Sequence, residues 1–281
     1  MLIRTFSLMG QFNFFEIEKQ SENRTAIIYL NGPDPRNSMV WDFWKELPEL
    51  VEYLEQDSNI KAAVFLSKKK SFSMGLELNE FGEKFGDLIQ GATGDQRMQF
   101  LKLIQDMQSG FIRIMNSPIV FLAGVHKHCV GGALDLICAC DLRLASGDAT
   151  VSLRETKVAI VADMCSLNRL PGIVGQGNAR LMAFTGGDFS AEKCHQMGLF
   201  SEVYSGMEEL HQNAQKLAAE IAANPGIVLK GVKDQLNYMQ NHSPEEGLKY
   251  VAVWNSAFLD SEDFRELQAA FKERRRPNYK S

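Results

Sequence analysis

The chain has 281 residues, 45% hydrophobic and 23% charged, enough apolar material for one large core or a core with an appendage. Its formal net charge of −5 and pI near 5.6 argue against a nucleic-acid surface as its main business, though not against a local basic pocket for a phosphorylated ligand. The five cysteines (Cys129, Cys138, Cys140, Cys165 and Cys194) are odd in number and lie in apolar or helical text, so they read as free thiols in a reducing compartment.

Residues 1–19 carry no sustained apolar run and no small-residue cleavage site, and no segment reaches the ~18 apolar residues of a membrane span. The last four residues, 278–281, are not a peroxisomal address, so a cytoplasmic location is expected, with no membrane partner. Residues 12–18 and 25–30 alternate or cluster apolar side chains around a polar turn at 21–23 and predict a hairpin. Residues 39–54 have helical spacing, with Pro48 able to kink them, and 62–66 read as a short buried strand. The polar, glycine-bearing stretch 79–98 is expected to be mobile. A helix over 98–115 stops before Pro118, a strand runs over 119–125, and 126–130 reads as a loop.

Gly131 and Gly132 then open a helix reaching about Ala139. Beyond Gly175 the text is nearly all helical, with helices near 176–184, 190–197, 206–222, 225–240, 244–259 and 262–275. Strand, glycine turn and helix recur through the first two-thirds, which predicts an α/β core over 1–204 and a helical C-terminal region over 205–281, used for packing or assembly.

Three stretches carry chemistry. In the first, 71–77, Gly75 permits a turn that would aim the Met74 amide into a cavity, although an ordinary strand-to-loop turn has the same sequence. In the second, 124–141, the double glycine precedes a helix whose free N-terminal amides can hold an anion. Asp135 follows one turn later among apolar neighbours, either as a functional acid or as a first-turn acid favoured by the helix dipole. In the third, 154–163, Glu155 precedes an apolar run expected to be buried, and Asp163 stands where it can equally be the N-cap of the next helix. His126, His128 and Cys129 lack a fourth ligand at customary spacing, so no metal is expected; Gly172 to Gly177 reads as a turn between helices.

In order and wording these stretches resemble the signature segments of the enoyl-CoA hydratase/isomerase (crotonase) family, from Arg36-Asn37-Ser38-Met39 to Phe271-Lys272-Glu273-Arg274. The resemblance implies a spiral of ββα units followed by helices that build trimers or hexamers, and an acyl-CoA substrate with no separate cofactor. It implies an oxyanion hole from the Met74 and Gly132 amides. It places Arg36, Ser73, Gly75, Leu76 and Glu77 at the CoA-binding loop, with Glu77 in place of a more common Asp, and gives Phe271 and Arg274 to CoA, often from a neighbouring subunit. The Arg274–Arg276 cluster is equally a solvated basic helix end.

The family's hydratases use two glutamates. Here Asp135, Glu155 and Asp163, spaced by 20 and 8 residues, look instead like the delta-3,5-delta-2,4-dienoyl-CoA isomerase branch. That likeness implies proton transfer at C2 and C6 by Glu155 and Asp163, in either assignment, with Asp135 as a third acid that tunes the others or orients the substrate. Hydration or movement of a single double bond is the alternative reaction, and an acyl-CoA- or RNA-binding role without catalysis is the alternative class.

Overall fold

The computed structural model describes residues 6–7 and 12–280. The strands are β1 (Phe6–Ser7), β2 (Phe15–Gln20), β3 (Thr25–Leu30), β4 (Ser38–Met39), β5 (Ala62–Ser67), β6 (Gly75–Leu76), β7 (Val120–Val125), β8 (His128–Val130), β9 (Leu142–Ser146), β10 (Thr150–Ser152), β11 (Phe189–Ser190) and β12 (Glu202–Tyr204). The helices are α1 (Trp41–Glu55), α2 (Leu78–Ile89), α3 (Gly94–Asn116), α4 (Gly132–Ala139), α5 (Ser166–Thr185), α6 (Ala191–Gln196), α7 (Met207–Ala222), α8 (Gly226–Tyr238), α9 (Pro244–Phe258) and α10 (Glu262–Glu273), with a 3₁₀ turn at Glu155–Val158.

Seven strands form the main sheet in the order β1-β2-β3-β5-β7-β9-β12. After the antiparallel β2–β3 hairpin, the pairs from β3 to β12 are parallel, and β3, β5 and most of β7 are buried on both faces. That burial explains near-continuous apolar runs such as Ala62–Ser67, since a parallel sheet covered on both sides has no polar face to alternate with. One face packs on α1, α3 and α4 through Phe43, Leu47, Phe111 and Leu136, and the other is covered by α7 through Leu210, Ala214, Ala218 and Ala222. A second sheet, β11-β10-β8, and the two-stranded β4–β6 ladder stand beside the first. They carry the glycine turns.

The hairpin and most helices form where the periodicity puts them. The stretch 79–98, expected to be mobile, is instead α2 and the start of α3. Glu77 caps α2 by accepting from the Glu80 N–H at 2.6 Å, and Thr93 with Gln96 forms a capping box on α3. Residues 128–130, read as loop, form a strand because β10 pairs with them. Residues 172–177 lie inside α5 and produce a kink at Gly175 (φ 79°, ψ 156°). The break expected near 205 falls before α7, yet α7 belongs to the sheet's core. The chain leaves that core only with α8, whose buried Lys233 ammonium donates to the Ile114 and Ile119 carbonyls and to Asp141 at 2.8–2.9 Å.

Candidate active site

A pocket of about 120 Å³ opens between β6, α4, the 3₁₀ turn and the start of α5, and all three predicted acids line it. Gly131, in the positive-φ region at +55°, ends β8 and turns its chain into α4. A side chain there would be strained, and its Cβ would also lie 3.1 Å from Glu155 Oε1. Glycine therefore makes both the turn and the space for the Glu155 carboxylate.

The next residue, Gly132, occupies the first helical position, where a backbone N–H has no intrahelical acceptor. Across from it, Gly75 has φ +81°, and a Cβ there would lie 2.3 Å from the Val130 carbonyl oxygen and 3.1 Å from the Gly132 nitrogen. The two glycine turns approach as closely as backbones can. The loop leading to Gly75 is tied down by buried polar contacts. Asn37 Nδ2 donates to Ser67 Oγ and to the Ser71 and Phe72 carbonyls at 2.7–3.2 Å, Ser73 Oγ donates to the Asn37 carbonyl at 2.6 Å, and the Ser73 N–H donates to the His128 carbonyl at 2.9 Å.

One expected donor is misplaced. The Met74 N–H donates to the Arg36 carbonyl at 3.1 Å, so it is already satisfied, and the Gly75 N–H donates to Ser73 Oγ at 3.1 Å. In a strand successive N–H groups turn to opposite sides. The Glu77 N–H bonds to Met39 of β4, which leaves the Leu76 N–H facing away from that ladder while Leu76 itself lines the pocket.

The acids differ in environment. Asp135 is 1% exposed, and its Oδ1 accepts the Cys165 N–H at 2.9 Å and the Ser166 N–H at 2.6 Å. It is thus the cap of α5, supplied from another helix, since Cys165 at the N-cap position makes no side-chain cap. Asp163 is not that cap, contrary to the alternative its position in the sequence suggested. Burial raises the Asp135 carboxyl above its ordinary range despite these two donors. Glu155 is half-buried, and its Oε2 has no hydrogen-bond partner. Lost hydration, reinforced by the neighbouring charges of Asp135 and Asp163, pushes it up to about 7. Asp163 is the most open of the three, yet desolvation beside the pocket wall raises its carboxyl too.

Trp44, Leu76, Met107, Val158, Ile160 and Met164 supply the apolar wall. The run after Glu155 was expected to be buried, but Val161 is 76% exposed, because Ala159 (φ +60°) turns this segment across the pocket mouth and no strand takes it into the core. Arg154 pairs with Asp188, and neither Arg154 nor Lys157 pairs with Glu155. Trp44, Met107 and Met164 were not singled out from the sequence, where they read as ordinary helical apolar positions.

The expected CoA residues fall into three groups. Gly75 and Leu76 belong to the pocket loop, whereas Ser73 is fully buried and Glu77 is engaged as the α2 cap, so their polar atoms serve the loop's own structure. Arg36 is exposed at the neighbouring surface. Phe271, 84% exposed, and Arg274, the left-handed end of α10, do not line the pocket of the acids in the same chain. Lys68 pairs with Glu16 and Glu18, and Lys69 donates to the Gly32 carbonyl, so much of the lysine run is occupied. Among the described residues no cluster of His, Cys, Asp or Glu could hold a metal, and no helix is long and apolar enough to cross a membrane. The five cysteines are buried and unpaired.

With this geometry the chain can be placed among known proteins. Residues 20–281 match the enoyl-CoA hydratase/isomerase family, and the chain belongs to that family, whose members act on acyl-CoA. It is 34% identical to the mitochondrial Delta(3,5)-Delta(2,4)-dienoyl-CoA isomerase of Dictyostelium discoideum, over 96% of this chain and 92% of that protein. It is 33% identical to the peroxisomal protein of the same activity from Arabidopsis thaliana, over 94% and 95%. Among solved structures, Pseudomonas aeruginosa DspI superposes with a TM-score of 0.85 at 25% identity, over 97% of this chain and all of that one. Enoyl-CoA hydratase from Bacillus anthracis, at 24% identity and a TM-score of 0.81 over 92% and 95%, shares the fold. The expected crotonase-type α/β fold with C-terminal helices is therefore present. The two relatives carry organelle designations, which lend no support to a cytoplasmic location.

Proposed function

We propose that this protein is a dienoyl-CoA isomerase that converts a 3,5-dienoyl-CoA to the 2,4-dienoyl-CoA in the degradation of unsaturated fatty acids. The observation that carries the reading is the presence of three carboxyl groups in one apolar pocket beside the unpaired Gly132 amide at a helix start. The thioester carbonyl sits against the Gly132 and Leu76 N–H groups, a pair that replaces the expected Met74 and Gly132. Removal of a C2 proton puts negative charge on that oxygen, and each preorganised donor there contributes about 3 kcal/mol to the transition state.

Glu155 is assigned to C2 because its carboxylate lies against Gly131, one residue from the oxyanion donor. It takes the C2 proton, the electrons spread over the dienolate, and protonated Asp163 returns a proton at C6, toward the α3 side of the pocket. Each step moves one proton and one electron pair, and the two acids exchange protonation states. A group poised near neutrality suits the first role, since a base must be ionised to accept and still bind the proton well. Asp135, with Oδ1 committed to two amides, is better placed to hold the α5 segment and to bias Glu155 by its charge than to carry a proton itself. The same commitment weighs against hydration, which needs a water held between Asp135 and Glu155.

Arg36, and Phe271 with Arg274 from a neighbouring copy, are assigned to CoA. Beside α10, the helices α8 and α9 leave Val228, Val232, Leu236, Val253 and Phe258 exposed, and a groove of about 390 Å³ runs between α8, α9 and α10. A homotrimer or hexamer covers this face.

The test is absorbance growth of the conjugated product from a 3,5-dienoyl-CoA, with a 2-enoyl-CoA in parallel. Asp163→Asn should remove the dienoyl reaction by at least 10²-fold. Consumption of the enoyl-CoA alone, unchanged in the variant, would reject the isomerase and leave an acyl-CoA enzyme of another kind.

A further inference from the structure

The inner wall of the pocket has one rigid and one pliant member. Trp44 is 3% exposed and held on edge between Phe43 and Phe111, at ring-centroid separations of 5.1 and 5.9 Å with interplanar angles of 87° and 80°. Its indole Nε1 donates to the Met39 carbonyl, and its ring edge lies 3.1 Å from the position of a Cβ on Gly132. The indole therefore packs beside the thioester end and has little freedom to move. Met107, 2% exposed on α3, lines the same pocket with an unbranched side chain of several rotamers.

Position along the substrate follows from the neighbour of Met107. Gln108 donates its side-chain amide to the Asp163 carbonyl, which fastens this turn of α3 to the segment that carries Asp163. The acyl chain, entering past Gly132 and Glu155 and passing Asp163, then runs onto Met107. Gly110, one turn further along α3, abuts Leu47 of α1 so closely that a Cβ would meet it at 2.8 Å. The helix cannot retreat to make room, so space for a longer tail can come only from the side chain.

We propose that Met107 is the specificity-determining residue that sets how much acyl tail beyond the reacting carbons the pocket accepts. This rests on the acyl-CoA reading of the site but not on isomerisation. It is therefore tested by binding: calorimetric competition with a series of saturated acyl-CoAs from butanoyl to hexadecanoyl, which undergo no turnover. In the unmodified protein each added methylene should gain about fourfold in affinity until the tail reaches Met107, after which the gain stops.

Met107→Ala should move that plateau to longer chains by about two carbons. Met107→Val, which removes less of the core, should move it by about one, and keeps the test alive if the alanine variant is too unstable to purify. Leu103→Ala, on the same helix, buried and absent from the pocket lining, should lower stability without moving the plateau. A plateau that stays at the same chain length in both Met107 variants overturns the proposal, as does an equal shift in Leu103→Ala. Complete failure of every acyl-CoA to bind would instead overturn the acyl-CoA reading.

Discussion

Glu155 illustrates how a fold holds a carboxyl away from its ordinary range. Among the described residues no ion pair reaches it, Arg154 being paired with Asp188; one oxygen is buried without a partner, and two further acids share its pocket. Its neutral form is thus favoured in the folded chain, and the folded state binds more protons than the unfolded one between the group's ordinary value of 4.5 and about 7. Stability contributed at this site is accordingly present at low pH and falls as pH rises through that window. Glu155→Gln should abolish this fall and raise stability by about 1–2 kcal/mol above pH 7, allowing for partial exposure. Denaturant titrations at pH 5 and pH 8 would show it. The same substitution should cost roughly 10²–10⁴ in dienoyl turnover and erase a rise in rate with pH through about 7. A variant no more stable at pH 8 than the parent would mean that the carboxyl ionises freely.

Among the elements, α2 is the most lightly held. None of its residues is fully buried. Gly82 and Gly86 face open space, and the helix touches the core through half-buried Phe81, Phe85 and Leu88, with Phe85 set edge-on to Trp41 at 4.7 Å. Its backbone amides should exchange with deuterium much faster than those of α1, whose seven buried residues include Phe43, Leu47 and Leu54. Bound acyl-CoA should slow α2 selectively, because Leu76 and Leu78 join it to the pocket. Equal protection of the two helices would contradict this.

The text of residues 79–98 shows why this element was misjudged. Polarity and glycines suggested mobility, but Glu77 with Glu80 and Thr93 with Gln96 are capping signals that start helices despite a weak apolar stripe. The three acids, by contrast, are singled out in the sequence by the family resemblance, since each segment alone reads equally well as a helix cap, a first-turn acid or a surface pair. That the Met74 N–H is already engaged is not legible there, since its acceptor is the Arg36 carbonyl, a contact between segments 38 residues apart.

At the scale of the whole molecule, the region after α7 is held to the core by polar contacts from Lys233 and Asn237 and presents an apolar groove between α8, α9 and α10. Lys233 is 5% exposed and bridges α8 to two carbonyls and to Asp141, whose carboxylate also accepts the Phe121 N–H on β7 at 2.8 Å. Lys233→Ala leaves Asp141 and both carbonyls short of a donor and should cost about 3 kcal/mol. Chemical denaturation measures that cost, and a loss below about 1 kcal/mol would show that water replaces the ammonium. The helical character of this region was plain from periodicity. The packing of α7 on the sheet was not, because helical period alone does not say which neighbour its Leu210, Ala214, Ala218 and Ala222 stripe meets.

The capping of α5 by Asp135 also bears on the order in which the chain assembles. Twenty-eight residues separate the acid from Asp163, and the amides it holds belong to the two residues that begin α5. An isolated α5 lacks a cap of its own, so its first turn frays until α4 has docked behind it. Asp163 lies two residues before the first of those amides, so its place in the pocket depends on a contact between α4 and α5 that neither segment contains alone.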